Sequence, residues 1–226
     1  MATYVTVHGA WDGAWFWRPV ARHLQAAGHE AFTATLTGSG ERAHLARRDV
    51  DLATHVEDVV NVLRYEDLRG VILVGHSYGG MVITGVAERA PERLAKLVYL
   101  DAFVPQDGQA LADLFPPEVV AWLEERARTL GDGWRVPPDP PDADRRTDFP
   151  LAALRQPLAV RDPQAARLPR AYVACAESRG VPLFAHFEAA EARARAEGWD
   201  VRELPTGHVP MQTMPRELAG LLLTFA

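Results

Sequence analysis

The stretch Val71-Ile72-Leu73-Val74-Gly75-His76-Ser77-Tyr78-Gly79-Gly80 decides how the rest of the chain is read. VILV is a continuous apolar run of the kind a strand buried on both faces requires, and the residues from Gly79 to Arg89 carry helical spacing that stops before Pro91. Between the two lies G-x-S-x-G, so the pattern predicts a strand, a sharp turn and a helix, with Ser77 thrust out of the turn. Such a turn strains the serine backbone and is tolerated only where the flanking positions lack bulky β-carbons. Gly75, Gly79 and Gly80 leave that room. Ser77 is therefore the candidate nucleophile.

Outward from this motif the chain repeats strand and helix. Upstream, Tyr4 to Val7 reads as a strand, HGAWDGAW (8–15) as a loop, and Trp17 to Ala27 as a helix. Glu30 to Leu36 is a second strand, followed by the irregular loop TGSGERAH (37–44). Asp51 to Leu68 sets Val56, Val59, Val60 and Leu63 on one helical face. Downstream, LAKLVYL (94–100), RAYVACA (170–176) and WDVREL (199–204) read as strands, and 181–197 and 215–226 as helices. Strands alternating with helices and lacking tight hairpins predict an α/β fold, with a mostly parallel central sheet and helices on both faces. The rhythm breaks between Pro105 and Pro169, where VPPDPPDAD (136–144) and weak helical stretches such as Glu118 to Leu130 stand. Residues 1–104 and 169–226 are expected to form the core, and 105–168 a cap over the carboxyl edge of the sheet, where such folds bind ligands.

At 226 residues and 48% hydrophobic content, the chain suits one catalytic domain with a sizeable core. Thirty acidic residues against 24 basic ones give a net charge of −6, and the arginines are scattered. That balance argues against nucleic acid or a membrane as partner and leaves a small-molecule substrate; a homodimer is left open. The one cysteine, Cys175, has no intrachain partner, the N-terminus shows no export pattern, and Leu218 to Ala226 is too short to span a bilayer. A cytoplasmic protein is expected.

A serine hydroxyl is a weak nucleophile until a base takes its proton, and in G-x-S-x-G proteins of this kind the order nucleophile, acid, histidine places the base near the C-terminus. His208, in PTGHVPM (205–211) after the last expected strand, fits that place. His186 falls inside an expected helix, and His23, His29, His44 and His55 have no catalytic spacing, so a solvated or structural role is expected for all five. The backbone N–H groups of Ala10 and Tyr78 are the candidate oxyanion donors, with Gly9 permitting close approach. Trp11, Trp15, Phe16 and Trp17 are read as packing, one of them as a wall of the pocket. No residues fall at a zinc-ligand spacing, so no metal is expected, and the chemistry calls for no cofactor. For the acid that steadies His208, two carboxylates stand at strand ends, Asp101 and Glu177.

Together VHGAWDGAWFW, TLTGSGERAHL, HVEDVV, GHSYGGMVITG, LVYLDAFVP and TGHVPM resemble the α/β-hydrolase superfamily, in the branch of plant methylesterases, hydroxynitrile lyases and small bacterial carboxylesterases. The resemblance covers about residues 3 to 106 and 170 to 226, and it implies the fold and Ser/His chemistry while leaving the substrate to the cap and pocket walls. Two departures stand out. Plant members carry their acid in a segment like T-E-D-K; here the matching stretch is Cys175-Ala176-Glu177-Ser178-Arg179, with Ser178 where Asp is expected, and an aspartate appears at 101 where those relatives commonly have alanine or asparagine. The swap favours Asp101, with Glu177 the alternative. The lyases have a threonine where Gly9 stands and a lysine where Val209 stands, which favours ester hydrolysis over cyanohydrin cleavage. The expected function is hydrolysis of a small, largely apolar ester or lactone through an acyl-enzyme on Ser77. The rivals are a ligand-binding protein and a biosynthetic lyase or cyclase reusing the pocket. Phe103, Leu111, Leu114, Phe115, Trp122 and Phe149 are the candidate pocket lining.

Overall fold

In the computed structural model, which describes residues 1–141, 145–180 and 184–226, the first half of the chain follows the expected rhythm. Strand β1 (Thr3–Val7), helix α1 (Arg18–Ala26), β2 (Glu30–Ala34), α2 (Leu52–Tyr65), β3 (Val71–His76), α3 (Gly79–Arg89) and β4 (Leu94–Leu100) come in turn. Asp51 caps α2 by accepting from the Thr54 N–H at 2.9 Å, which is why that helix begins where its acidic residue stands. Between β4 and the next sheet strand lie α4 (Pro117–Leu130), the antiparallel pair β5 (Arg135–Val136) and β6 (Phe149–Pro150), α5 (Leu151–Arg155) and α6 (Pro163–Arg167). Then come β7 (Arg170–Cys175), α7 (Ala185–Ala196), β8 (Asp200–Leu204), the short α8 (Pro210–Thr213) and α9 (Pro215–Leu223). The helix expected over 181–197 is seen from Ala185, residues 181–183 lying outside the described ones, as do 142–144 of the proline-rich stretch. The closing helix stops at Leu223, three residues short of the expected end.

Six strands form one parallel sheet in the order β2-β1-β3-β4-β7-β8. The chain steps from β1 outward to β2 and then returns across β1 to β3. The strand order therefore reverses between β1 and β3, and a crevice opens at their carboxyl ends. Alternation along each strand feeds two cores. Val5, Val7, Leu73, Leu97, Tyr99 and Tyr172 face α2, α3 and α7; Tyr4, Ile72, Val74, Val98, Leu100 and Val173 face α1 and α9. Both faces being covered explains why VILV has no polar alternation. No helix among the described residues is long and apolar enough to cross a membrane.

Candidate active site

Three non-glycine residues at the carboxyl edge take left-handed backbone: Trp11 (φ 66°) after β1, Ser77 (φ 54°) after β3 and Asp101 (φ 41°) after β4. Backbone of this kind costs free energy at each residue and persists only where surrounding contacts over-determine it. At Ser77 those contacts are visible. Its N–H donates to Leu100 O at 3.3 Å, and its carbonyl accepts from the N–H groups of Gly80 and Phe103 at 3.0 and 3.2 Å. A β-carbon on Gly75 would lie 2.5 Å from Gly79 O, and one on Gly79 2.8 Å from Val7 O, so only glycines let strand, turn and helix close this tightly.

His208 stands in the loop between β8 and α8. Its Nδ1 lies 2.7 Å from Asp101 Oδ2, and with Nδ1–H donating to a carboxylate, Nε2 of the neutral ring is the lone-pair nitrogen. The same Asp101 oxygen accepts from Ser178 Oγ at 3.0 Å, and Oδ1 accepts from the Cys175 N–H at 3.3 Å. Asp101 is 2% exposed, and three donors meet its oxygens. Thus Ser178, at the position where an acid was expected, supports the aspartate one strand away. Glu177 is exposed, its N–H given to Thr206 O, and the structure does not bring it to His208. The His208 ring packs against both Phe184 (4.8 Å) and Phe187 (4.9 Å), which also touch each other, while its carbonyl accepts from His76 Nε2 at 2.7 Å.

The loop after β1 comes close to the serine: a β-carbon on Gly9 would be 3.1 Å from both Ser77 Cβ and His76 Nδ1. His8, buried, accepts the Leu36 N–H at Nε2 and donates Nδ1–H to Gly9 O at 2.7 Å. Because a trans peptide sets C=O and the following N–H on opposite sides, this bond turns the Ala10 N–H away from His8. Among the described residues neither that N–H nor the one of Tyr78 has an acceptor. Tyr78 is anchored at its other end, its hydroxyl donating to His55 Nδ1 at 2.8 Å while His55 Nε2–H donates to Thr37 O at 3.1 Å. Burial lowers the pKa of His8 and of His55 to about 4, and holds His76 further below the usual imidazole value.

Ser77 and His208 share the wall of a cavity of about 330 Å³, mostly apolar, with Trp11, Phe103, Phe115 and Trp122. Of the expected lining, Phe103, Phe115 and Trp122 are therefore in place. Leu111 and Phe149 are core residues instead, buried inside the segment between β4 and β7, and Leu114, half-buried, lines a neighbouring groove. Trp11 both walls the cavity and donates Nε1–H to Val136 O of β5, tying the loop after β1 to the segment between β4 and β7. His186, expected to be solvated or structural, stands in the cavity wall beside Phe184 and Phe187. Sequence reading missed these three, whose only signal was two aromatics flanking a histidine at the start of a helix. A larger groove of about 790 Å³ passes over Trp15, Arg18 and Arg22 and holds neither Ser77 nor His208. Among the described residues no group of three or more His, Cys, Asp or Glu could hold a metal.

Comparison with known proteins bears on the fold and the family. Residues 4–221 match the alpha/beta hydrolase family. The chain is 41% identical to the carbendazim hydrolyzing esterase of Nocardioides sp. (strain SG-4G) over 241 residues, 98% of each chain. It is 33% identical over 140 residues to the putative chloroplastic methylesterase 14 of Arabidopsis thaliana, 60% of this chain and 40% of that one. Among solved structures it resembles an extracellular α/β-hydrolase from a Paenibacillus species, with a TM-score of 0.83, 25% identity and 99% and 98% of the two chains covered. The family match spans nearly the whole chain and the esterase relative is covered end to end, so the chain belongs to the α/β-hydrolase family.

Proposed function

We propose that this chain hydrolyses a small, largely apolar carboxylic ester or lactone, methyl esters first of all, through an acyl-enzyme on Ser77. It is a carboxylic ester hydrolase, as its relatives named for esterase activity are. The observation that carries the finer reading is the Asp101–His208 pair at 2.7 Å on the wall of the cavity that also holds Ser77.

In this reading His208 Nε2 takes the Ser77 hydroxyl proton as Oγ attacks the ester carbonyl. Asp101 keeps the proton on Nδ1 and stabilises the imidazolium that forms. The negative charge developing on the carbonyl oxygen is received by the N–H groups of Ala10 and Tyr78, which the apolar cavity makes more effective than they would be in water. His208 then returns its proton to the departing alkoxide and activates a water that releases the acid. A cavity of about 330 Å³ is near the small end of the usual range for ligand pockets, which favours a small ester.

A fluorophosphonate probe should label the wild type and not Ser77→Ala. On p-nitrophenyl butyrate that variant should lose a factor of about 10⁴ or more in kcat, with its thermal transition close to wild type. Retention of most activity would sink the nucleophile assignment.

A further inference from the structure

The polar side chains on the wall of the catalytic cavity nearly all have work. His208 is bound to Asp101, Arg146 approaches Asp12 at 3.4 Å, and Asp139 is paired with Arg126 at 3.4 Å. His186 is the exception. Both its ring nitrogens are buried and, among the described residues, neither has a hydrogen-bond partner. The ring lies parallel to Phe103 (4.3 Å, 4°), with Phe115 and Phe187 edge-on at 5.0 and 3.9 Å. A phenyl ring would serve that packing at least as well, so the packing does not explain the two nitrogens. Leaving them unbonded is costly, and a buried polar group without a partner marks either strain or function.

A second observation shows that the ring has somewhere to go. Phe103 and His186 also line the neighbouring groove, about 330 Å³, whose other walls include Gln106, Gln109, Asp113 and Arg193. The stacked pair thus stands as a partition between the catalytic cavity and this groove. Burial, with the nearby His208, keeps the ring neutral, its pKa lowered to about 4, so it offers one donor and one acceptor.

We propose that His186 is a specificity-determining residue: its ring turns into the catalytic cavity and hydrogen-bonds a polar group on a planar acyl arm. The enzyme then favours esters whose planar acyl arm carries a ring nitrogen or hydroxyl over their carbocyclic counterparts. The arm is planar because Phe103, Phe115, Phe184 and Phe187 wall the space. The polar group is on the acyl side because a methyl ester has all its other recognisable surface there, and in this the inference rests on the ester-hydrolase reading above.

The test compares methyl 4-pyridylacetate with methyl phenylacetate at pH 8 in the wild type, His186→Phe and His186→Gln, each kcat/KM divided by the ester's rate with hydroxide. The wild type should prefer the pyridyl ester by about three- to tenfold, the worth of one hydrogen bond. His186→Phe should bring the ratio to about one and His186→Gln should keep part of it. His186→Leu replaces the phenylalanine variant if that one does not fold. An unchanged ratio in His186→Phe, or no wild-type preference, overturns the inference. If the wild type cleaves neither ester, the acyl-enzyme reading fails, and calorimetric binding of the two esters to the same proteins decides this one. Tighter binding of the pyridyl ester that His186→Phe abolishes supports it. Equal binding, or none, overturns it.

Discussion

At the scale of single residues, the decisive contact is the one Asp101 makes. One carboxylate oxygen receives both His208 Nδ1 and Ser178 Oγ, at a residue whose backbone is left-handed. Asp101→Asn presents an amide where a carboxylate held the tautomer, and kcat on p-nitrophenyl butyrate should fall by about 10² to 10⁴ with the fold retained. Glu177→Gln, at an exposed position, should change it little. The reverse ranking at matched thermal stability would hand the role to Glu177. A second residue-scale expectation concerns the reaction. Gly9 and Val209 can supply neither the hydroxyl nor the ammonium that would stabilise a departing cyanide. Incubation with mandelonitrile should release cyanide no faster than buffer, and Ser77-dependent release would count directly against ester hydrolysis as the preferred chemistry.

At the scale of elements, the site is held by contacts between helices and strand ends. Tyr78 stands at the N-cap of α3, and its hydroxyl reaches His55 on α2, whose other nitrogen is spent on Thr37 O after β2. One phenol thus joins α2, α3 and the loop after β2. Tyr78→Phe strips the donor and leaves a buried imidazole nitrogen bare, a loss of about 1–3 kcal/mol that should appear as a lower urea midpoint with an unchanged m-value. A midpoint equal to wild type would show that the two helices are tied by packing alone. The start of α7 does similar work from the other side, since Phe184 and Phe187 both pack on the His208 ring whose Nδ1 is bound to Asp101.

Across the whole molecule, burying several neutral histidines ties stability to pH. His8, His55 and His186 have their folded pKa values lowered to about 4, against about 6.5 for an unfolded chain. Between those values the unfolded state binds protons that the folded state refuses. The stability is therefore fully present above pH 6.5 and is lost as pH falls toward 4. Asp12 acts in the opposite sense: burial raises its carboxyl to about 7, only partly offset by Arg146, so its contribution is full at low pH and lost as pH rises through 7. Three groups outweigh one below pH 6.5. Thermal midpoints should fall steeply from pH 6.5 to 4, and His55→Leu should show a shallower fall whatever its absolute stability. Asp12→Asn should gain stability relative to wild type at pH 8 more than at pH 5. A flat wild-type profile between pH 4 and 6.5 would contradict this account.

The sequence by itself determined what contiguous residues can encode. A G-x-S-x-G turn between an apolar strand and a helix is a local backbone problem, and its solution is written in Gly75 and Gly79. The two-sided burial of VILV, the order of strands and helices, and a histidine in the loop after the last strand follow from composition and chain order in the same way. Only the tertiary structure decided what depends on which strand ends are neighbours. Asp101 and His208 are 107 residues apart, and they meet because β4 lies beside β7 while the loop leaving β8 folds back over both. From position alone, Asp101 and Glu177 were two carboxylates at adjacent strand ends. The left-handed backbone at Asp101, with Ser178 and Cys175 donating to it, distinguishes them in space. The aromatic wall at the start of α7 was hidden for the same reason, because a phenylalanine's partners across a cavity leave no trace in its own neighbours along the chain.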